Sequence, residues 1–419
     1  MSTSTRIEAD YWLETPGDPR RTAEVMAGEQ SSGTFLAVPG ETPELMQRAA
    51  ARVERLDLLD SSAQPSLPGA AARSSGQVYR RAHVTLSWPI DTIGPSLPNL
   101  VATVAGNLFE LAQVSGLRIL DIRMPGIFAD AYPGPAFGIA GTRRLAGVPD
   151  GPLIGTIVKP SVGFGAAETA ALVETLCQAG IDFIKDDELQ SDGPLCPFED
   201  RVDAVMRVIN AAADKTGRKT MFAFNLTGEL DQMRRRHDYV LRAGGTCVMA
   251  SLNSVGLVGM IELRRFSQLP IHGHRNGWGY LSRSPALGWE FTAWHKLWRL
   301  AGADHLHVNG LANKFSEADA SVIASAKACL APLFADRSLP IMPVFSSGQT
   351  IRQPHDTYRA IGTTDLIYAA GGGIIAHPDG PSAGVTALRE AWSAAVAGVS
   401  LDEHAKQHPA LAAAMARYP

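Results

Sequence analysis

Ile181-Asp182-Phe183-Ile184-Lys185-Asp186-Asp187-Glu188 is a short apolar run that stops abruptly in one amine and three carboxylates. Such a run reads as a buried strand, and charges crowded at its end need partners or a metal. Side chains alternate along a strand, so Lys185 and Asp187 are expected on one face, with Glu188 following where the strand gives out. Together they could form an oxygen-rich site for a hard divalent cation such as Mg²⁺. The plainer alternative is a strand-to-loop junction whose charges are solvated.

This run has company. From about residue 137, short apolar strands alternate with helical segments, at 155–159, 182–185, 220–225, 246–250, 269–272, 305–309, 341–345 and 366–370. Eight strand–helix units within residues 137–419 are what a (β/α)₈ TIM barrel requires. A doubly wound open sheet would want a Gly-rich nucleotide turn. Gly163-Phe164-Gly165-Ala166-Ala167-Glu168 lacks the third glycine of that turn.

Upstream, residues 1–136 mix helix and strand signals without strict alternation, the pattern of a smaller α+β domain. Thr15-Pro16-Gly17-Asp18-Pro19 is turn chemistry, a helix is predicted after it up to Gly28, and 33–38 reads as a strand. Thr42 is a natural N-cap with Pro43 at the first helical position. A strand over 83–89 and a helix over 97–106 follow, and the Ser-, Pro-, Ala- and Gly-rich stretch 61–77 predicts a mobile loop.

Composition narrows the function classes. The chain has 419 residues, 45% of them apolar and 19% charged, which is ordinary for a soluble globular protein. A net charge of −4 gives no electrostatic reason to expect nucleic acid or an anionic membrane as partner. The cysteines Cys177, Cys196, Cys247 and Cys329 form no C-x-x-C pair, so neither a zinc site nor a disulfide framework is suggested. Met1-Ser2-Thr3-Ser4-Thr5-Arg6 begins no apolar signal segment and no apolar run reaches membrane-spanning length, so a cytoplasmic protein is expected.

In a TIM barrel the active site lies at the C-terminal ends of the strands. The residues where the runs stop are Lys159, Lys185 to Glu188, Asn225, His274 with Arg275, His307, Ser346-Ser347-Gly348 and Gly371-Gly372-Gly373. The last two groups follow the seventh and eighth strands, where these barrels commonly hold a phosphate. Small residues there let backbone N–H groups approach an anion, although a triple glycine can also be just a turn. His272-Gly273-His274 and His305-Leu306-His307 place two imidazoles on one strand face, a spacing that could bind zinc. One histidine of each pair could instead shuttle a proton or orient a hydroxyl, while Arg275 grips phosphate with its planar fork. Lys159 would be a usable acid or base if Lys185 crowds it. Its alternative is a salt bridge to Asp186 or Asp187. Together these features suggest proton or carbon–carbon chemistry beside a carbonyl in a phosphorylated sugar acid or ketose.

Gly180 to Glu188 resembles the metal motif G-x-D-F-x-K-D-D-E of the ribulose bisphosphate carboxylase/oxygenase (RuBisCO) large chain. The resemblance implies that Lys185 is carbamylated by CO₂ and that this carbamate, Asp187 and Glu188 bind Mg²⁺. Ile157-Val158-Lys159-Pro160 is similar to the family segment carrying the enolising lysine. His274-Arg275, His307 and Lys314 match its His-Arg pair, phosphate-side histidine and mobile-loop lysine. Ser346, Gly348, Gly371 and Gly372 match its substrate hydroxyl and phosphate contacts. Glu29-Gln30-Ser31-Ser32-Gly33-Thr34-Phe35 and Gly106-Asn107-Leu108-Phe109 resemble segments that reach the neighbouring subunit's active site. Glu29, Thr34 and Asn107 are their site residues, and a homodimer, or a higher homo-oligomer of dimers, is implied.

Departures from the pattern point away from CO₂ fixation. The family's K-P-K becomes Lys159-Pro160-Ser161, Phe35 replaces a tryptophan, Ser347 replaces a glycine, and Val308 to Lys314 keeps the lysine but not the usual loop. The chain thus looks like a RuBisCO-like protein of the form IV type. Members of that group make an Mg²⁺-stabilised enediolate. They then enolise or isomerise methylthio-sugar phosphates, or decarboxylate or transcarboxylate 3-oxo-isoapionate 4-phosphate. The salvage enolases place a lysine base where Asn107 stands, whereas Lys159 and Lys314 are retained here, which favours the carboxyl-losing chemistry. A sugar-phosphate enolase is the alternative enzyme, and a non-catalytic phosphate-binding barrel the alternative of another class.

Overall fold

The computed structural model describes residues 5–33, 38–68 and 77–418. In chain order its strands are β1 (Arg6–Thr15), β2 (Arg52–Ser62), β3 (Tyr79–Pro89), β4 (Gly116–Arg123), β5 (Leu153–Ile157), β6 (Phe183–Lys185), β7 (Met221–Asn225), β8 (Cys247–Ser251), β9 (Ile271–His274), β10 (Leu287–Trp289), β11 (His305–His307), β12 (Met342–Phe345) and β13 (Ile367–Ala369). They divide between two compact units, one of Met1–Pro133, Gly277–Leu300 and Leu333–Ser338, the other of the remaining chain. The division of 1–136 from 137–419 expected from sequence follows only the first of these breaks.

The first unit is a five-stranded sheet in the order β10-β4-β1-β3-β2. Its pairings are antiparallel except β10 with β4. Along β1, Ile7, Ala9, Tyr11 and Leu13 are buried and the residues between Ile7 and Leu13 are not, the period of two that a one-sided sheet requires. Strand β2 buries nothing and lies on the sheet edge, so it carries no alternation to read. Ser61 and Ser62 end that strand, which corrects the loop expected from 61; residues 69–76 lie outside the described residues, as do 34–37 of the strand expected at 33–38. Asp18 caps Pro19–Glu29 by accepting from the Arg21 N–H at 2.8 Å. Thr42 caps Pro43–Ala49 as expected, and the helix expected at 97–106 forms over Leu97–Val104.

In the second unit eight strands close in the order β11-β12-β13-β5-β6-β7-β8-β9, every neighbour parallel. All eight expected runs are barrel strands. Leu153, Ile157, Phe183, Met221, Ala223, Cys247, Met249, Met342, Val344, Ile367 and Ala369, taken from alternate strand positions, form one buried cluster. The Phe183 ring meets His272 at 5.2 Å and His305 at 6.0 Å. Strand β6 borders neither β9 nor β11, so these contacts cross the barrel interior. Among the described residues no helix is long and apolar enough to cross a membrane.

Two buried histidines set an acid limit on stability. Burial pushes His295 and His305 each down to about 3, so both are neutral in the fold and protonate on unfolding below about 6.5. The unfolded chain therefore binds extra protons in that interval. The stability is complete above pH 6.5 and falls towards pH 3 by about 1.4 kcal/mol per pH unit for each histidine. His295→Gln should flatten the decline in Tm between pH 6.5 and 4.5, read by calorimetry; a slope equal to that of the parent would contradict a neutral buried His295.

Candidate active site at the strand ends

Strand parity builds the site. Ile157, Phe183, Ala223, Met249, Val344 and Ala369 lie in the buried cluster, and two residues further each strand face returns. There stand Lys159, Lys185, Asn225, Ser251, Ser346 and Gly371, and likewise His274 after His272 and His307 after His305. One layer of side chains above the apolar core is thus almost wholly polar.

Lys185 is 1% exposed. Its Nζ donates to the Asp186 carbonyl at 2.8 Å and to Glu188 Oε2 at 3.3 Å. Burial pushes this amine below its ordinary value, against the pull of Glu188 and Asp187. Asp186 points the other way, as alternation demands, and pairs with Arg201 at 3.2 Å. Glu188 also meets His274 Nε2 at 3.4 Å. Burial makes His274 less basic, while Glu188, against its own burial, is held below the usual carboxylate range by His274 and Lys185.

Lys159 takes the salt-bridged alternative: its Nζ donates to Asp187 Oδ2 at 2.6 Å and to Ser161 Oγ at 2.7 Å. The neighbour is an anion rather than the crowding cation expected. A Cβ built on Gly371 would lie 3.8 Å from Lys159 Cε, so this lysine lies between a carboxylate and the glycine loop.

The residues expected to hold a phosphate form a second chain of contacts. His307 Nδ1 lies 3.0 Å from Ser346 Oγ. Ser347 has φ 70°, the left-handed region that costs a non-glycine residue about 1–2 kcal/mol. Its hydroxyl donates to Asn309 Oδ1 at 2.8 Å, which offsets that strain. Gly348 borders Lys314, whose N–H donates to the Ser347 carbonyl at 3.3 Å. The Lys314 ammonium is exposed, 5.2 Å from the Phe315 ring centre. Gly372 accepts from the Tyr418 hydroxyl at 2.9 Å. Arg275 is 5% exposed and donates to Glu317 Oε2 at 2.5 Å, so a phosphate at Arg275 would compete with this carboxylate. In the first unit, Asn107 Nδ2 donates to Glu29 Oε1 at 3.3 Å, on the surface; Thr34 lies outside the described residues.

Residues without a role in the sequence account complete the arrangement. Asn225 Nδ2 reaches the carbonyls of Asp187, Glu188 and Gln190 at 3.2–3.4 Å, pinning the backbone that carries the carboxylates. Glu317 gathers Arg275, Asn309 and Ser321. Asn225 was legible as a strand end; Glu317 had no signal.

The model of the ribulose bisphosphate carboxylase large chain matches this chain with the catalytic domain over residues 138–418 and the N-terminal domain over 13–128. The chain belongs to the RuBisCO large-chain family. Relatives named as ribulose bisphosphate carboxylase-like proteins are among its matches. A 3-oxo-isoapionate-4-phosphate transcarboxylase/hydrolase of Xanthobacter autotrophicus is 64% identical over 412 residues, 98% of this chain and 99% of its own. A 3-oxo-isoapionate-4-phosphate decarboxylase of Rhizobium rhizogenes is 45% identical over 414 residues, 98% of each. The crystal structure of a rubisco-like protein from Burkholderia fungorum superimposes with a TM-score of 0.93 at 48% identity, covering 99% of this chain and 100% of that one.

Proposed function

We propose that this RuBisCO-like chain is a Mg²⁺-dependent carbon–carbon lyase. It forms an enediolate from a phosphorylated sugar acid of the 3-oxo-isoapionate 4-phosphate type, with loss or transfer of the carboxyl group. The observation that carries the proposal is Lys159, an amine held 2.6 Å from Asp187 and beside Gly371. A proton carrier there stands between the proposed cation ligands and the proposed phosphate loop. The 64% identity to a transcarboxylase/hydrolase acting on that substrate supports the same choice.

Among the described residues no three His, Cys, Asp or Glu side chains form a metal cluster. Asp187 and Glu188 supply two carboxylates, and the third donor has to come from Lys185. Burial favours its uncharged amine, the form that adds CO₂, and the resulting carbamate would complete an all-oxygen set suited to a hard cation. When bound, Mg²⁺ would supply positive charge against the developing enediolate.

The chain's own groups do the rest. Ser346, Ser347, Gly348, Gly371 and Gly372 hold the phosphate, and Lys314 closes over the carboxylate. The bond from the carboxyl carbon to its neighbour breaks and the electron pair moves onto the adjacent carbonyl. Lys159 then delivers a proton from Nζ to the carbanionic carbon, with Ser161 and Asp187 fixing its position. His274 orients a substrate hydroxyl. The working assembly is a cytoplasmic homodimer or a multiple of it, each site completed by Glu29, Thr34 and Asn107 of the neighbour; a monomer by sedimentation would refute this.

A panel of phosphorylated 3-oxo acids and methylthio-sugar phosphates, with Mg²⁺ and bicarbonate, tests the function. Loss or transfer of the carboxyl group of a 3-oxo acid phosphate supports it. Solvent deuterium entering a methylthio sugar, with no 3-oxo acid consumed, would favour the enolase instead.

A further inference from the structure

Beneath Ser346 lies a histidine with no part in the chemistry above. His272 is fully buried, with its Nε2 2.8 Å from His307 Nε2 and the two rings nearly perpendicular. His307 Nδ1 in turn faces Ser346 Oγ at 3.0 Å. At the far side of His272, Nδ1 is buried and meets no hydrogen-bond partner among the described residues.

That orphan nitrogen fixes the direction of the whole chain. A buried N–H without an acceptor costs about 1–3 kcal/mol, and orphaned donors are rarer than under-used acceptors. The proton of His272 therefore sits on Nε2 and is donated to His307. His307 Nε2 must accept it, which leaves the His307 proton on Nδ1, donated to Ser346 Oγ. The hydroxyl of Ser346 has then filled a lone pair and keeps one hydrogen to give. Its other near polar neighbour, Ser347 Oγ, has given its own hydrogen to Asn309 and so could only accept from Ser346, at 3.4 Å too far for a good O–H···O bond. Burial pushes both imidazoles well below their ordinary values, so each is neutral and carries a single ring proton.

We infer that His272 is a positioning residue: through the relay His272–His307–Ser346 it fixes Ser346 as a donor at the strand-end site, selective for an acceptor oxygen such as that of a phosphate or carboxylate. The inference rests on the proposed anionic substrate for its consequence, but not for the relay itself. A substrate presenting only a donor at that point would meet the hydrogen of Ser346 and bind less well.

Nitrogen-15 NMR of histidine-labelled enzyme reads the tautomers directly, without substrate. The expected result is His272 protonated at Nε2 and His307 at Nδ1; a His307 protonated at Nε2 overturns the relay. His272→Phe should then raise KM roughly tenfold, the loss of one hydrogen bond, with a smaller change in kcat. His272→Gln, which can still donate to His307, should recover most of the affinity and keep the His307 tautomer. An unchanged KM and tautomer in His272→Phe would also overturn the proposal. If no substrate of the panel turns over, inorganic phosphate titrated into parent and His272→Phe replaces KM as the readout. Weaker phosphate binding in the variant supports the relay, and equal binding contradicts it.

Discussion

Lys159→Met should lower turnover by about 10³-fold while leaving the fold intact. General acid–base groups contribute about 10²–10⁴-fold, and Lys159 is an amine placed among Asp187, the glycine loop and Ser161. Methionine keeps the length and flexibility of the side chain, which is 39% exposed in lysine, so little packing is lost. The ion pair with Asp187 is lost. Asp187 Oδ1 still accepts from the Leu189 N–H at 3.1 Å, so the carboxylate keeps its orientation. The check is kcat at saturating substrate alongside Mg²⁺ binding by calorimetry. Turnover equal to the parent would remove Lys159 from the chemistry.

Lys185→Met should be equally damaging for a different reason. Without the amine no carbamate forms, and the two carboxylates alone leave the cation one ligand short. Since a cation of this kind contributes several kcal/mol to charge stabilisation, the loss is on the order of a thousandfold. Stability should fall by up to about 3 kcal/mol, because removing one partner of a buried pair leaves Glu188 and Asp187 without their cation, and a cooperative unfolding transition should remain. That separates a catalytic loss from an unfolded one. Two measurements check it together: the parent, but not the variant, should gain activity on preincubation with bicarbonate and Mg²⁺, and chemical trapping should find a carbamate on the Lys185 peptide of the parent. Full activity in Lys185→Met would contradict the carbamate.

Much of this arrangement was visible in the chain itself. Eight apolar runs that each stop at a polar or small residue are a barrel seen edge-on, and period-two geometry carries Ile157 to Lys159 or Val344 to Ser346 with no further input. The alternation Ile7, Ala9, Tyr11, Leu13 is equally legible in the sequence. Other parts had no local signal. Strand β2 is exposed along its length, and β10 has three residues whose partner β4 lies far upstream. Glu317 reaches Arg275 across 42 positions and His272 reaches His307 across 35. Such contacts exist only once the barrel has closed, which is why the sequence left Lys159 between crowding by Lys185 and a salt bridge to Asp186 or Asp187, and the fold pairs it with Asp187.

Loss of the carboxyl group is tested with a phosphorylated 3-oxo acid of the 3-oxo-isoapionate 4-phosphate type, carrying ¹³C in its carboxyl group, with enzyme, Mg²⁺ and bicarbonate. Carbon-13 NMR should show the label leaving its original carbon during turnover, either as bicarbonate or in a new carboxyl group of the product. A substrate that is consumed, or exchanges its protons with solvent, while the label stays bonded to the same carbon would contradict it.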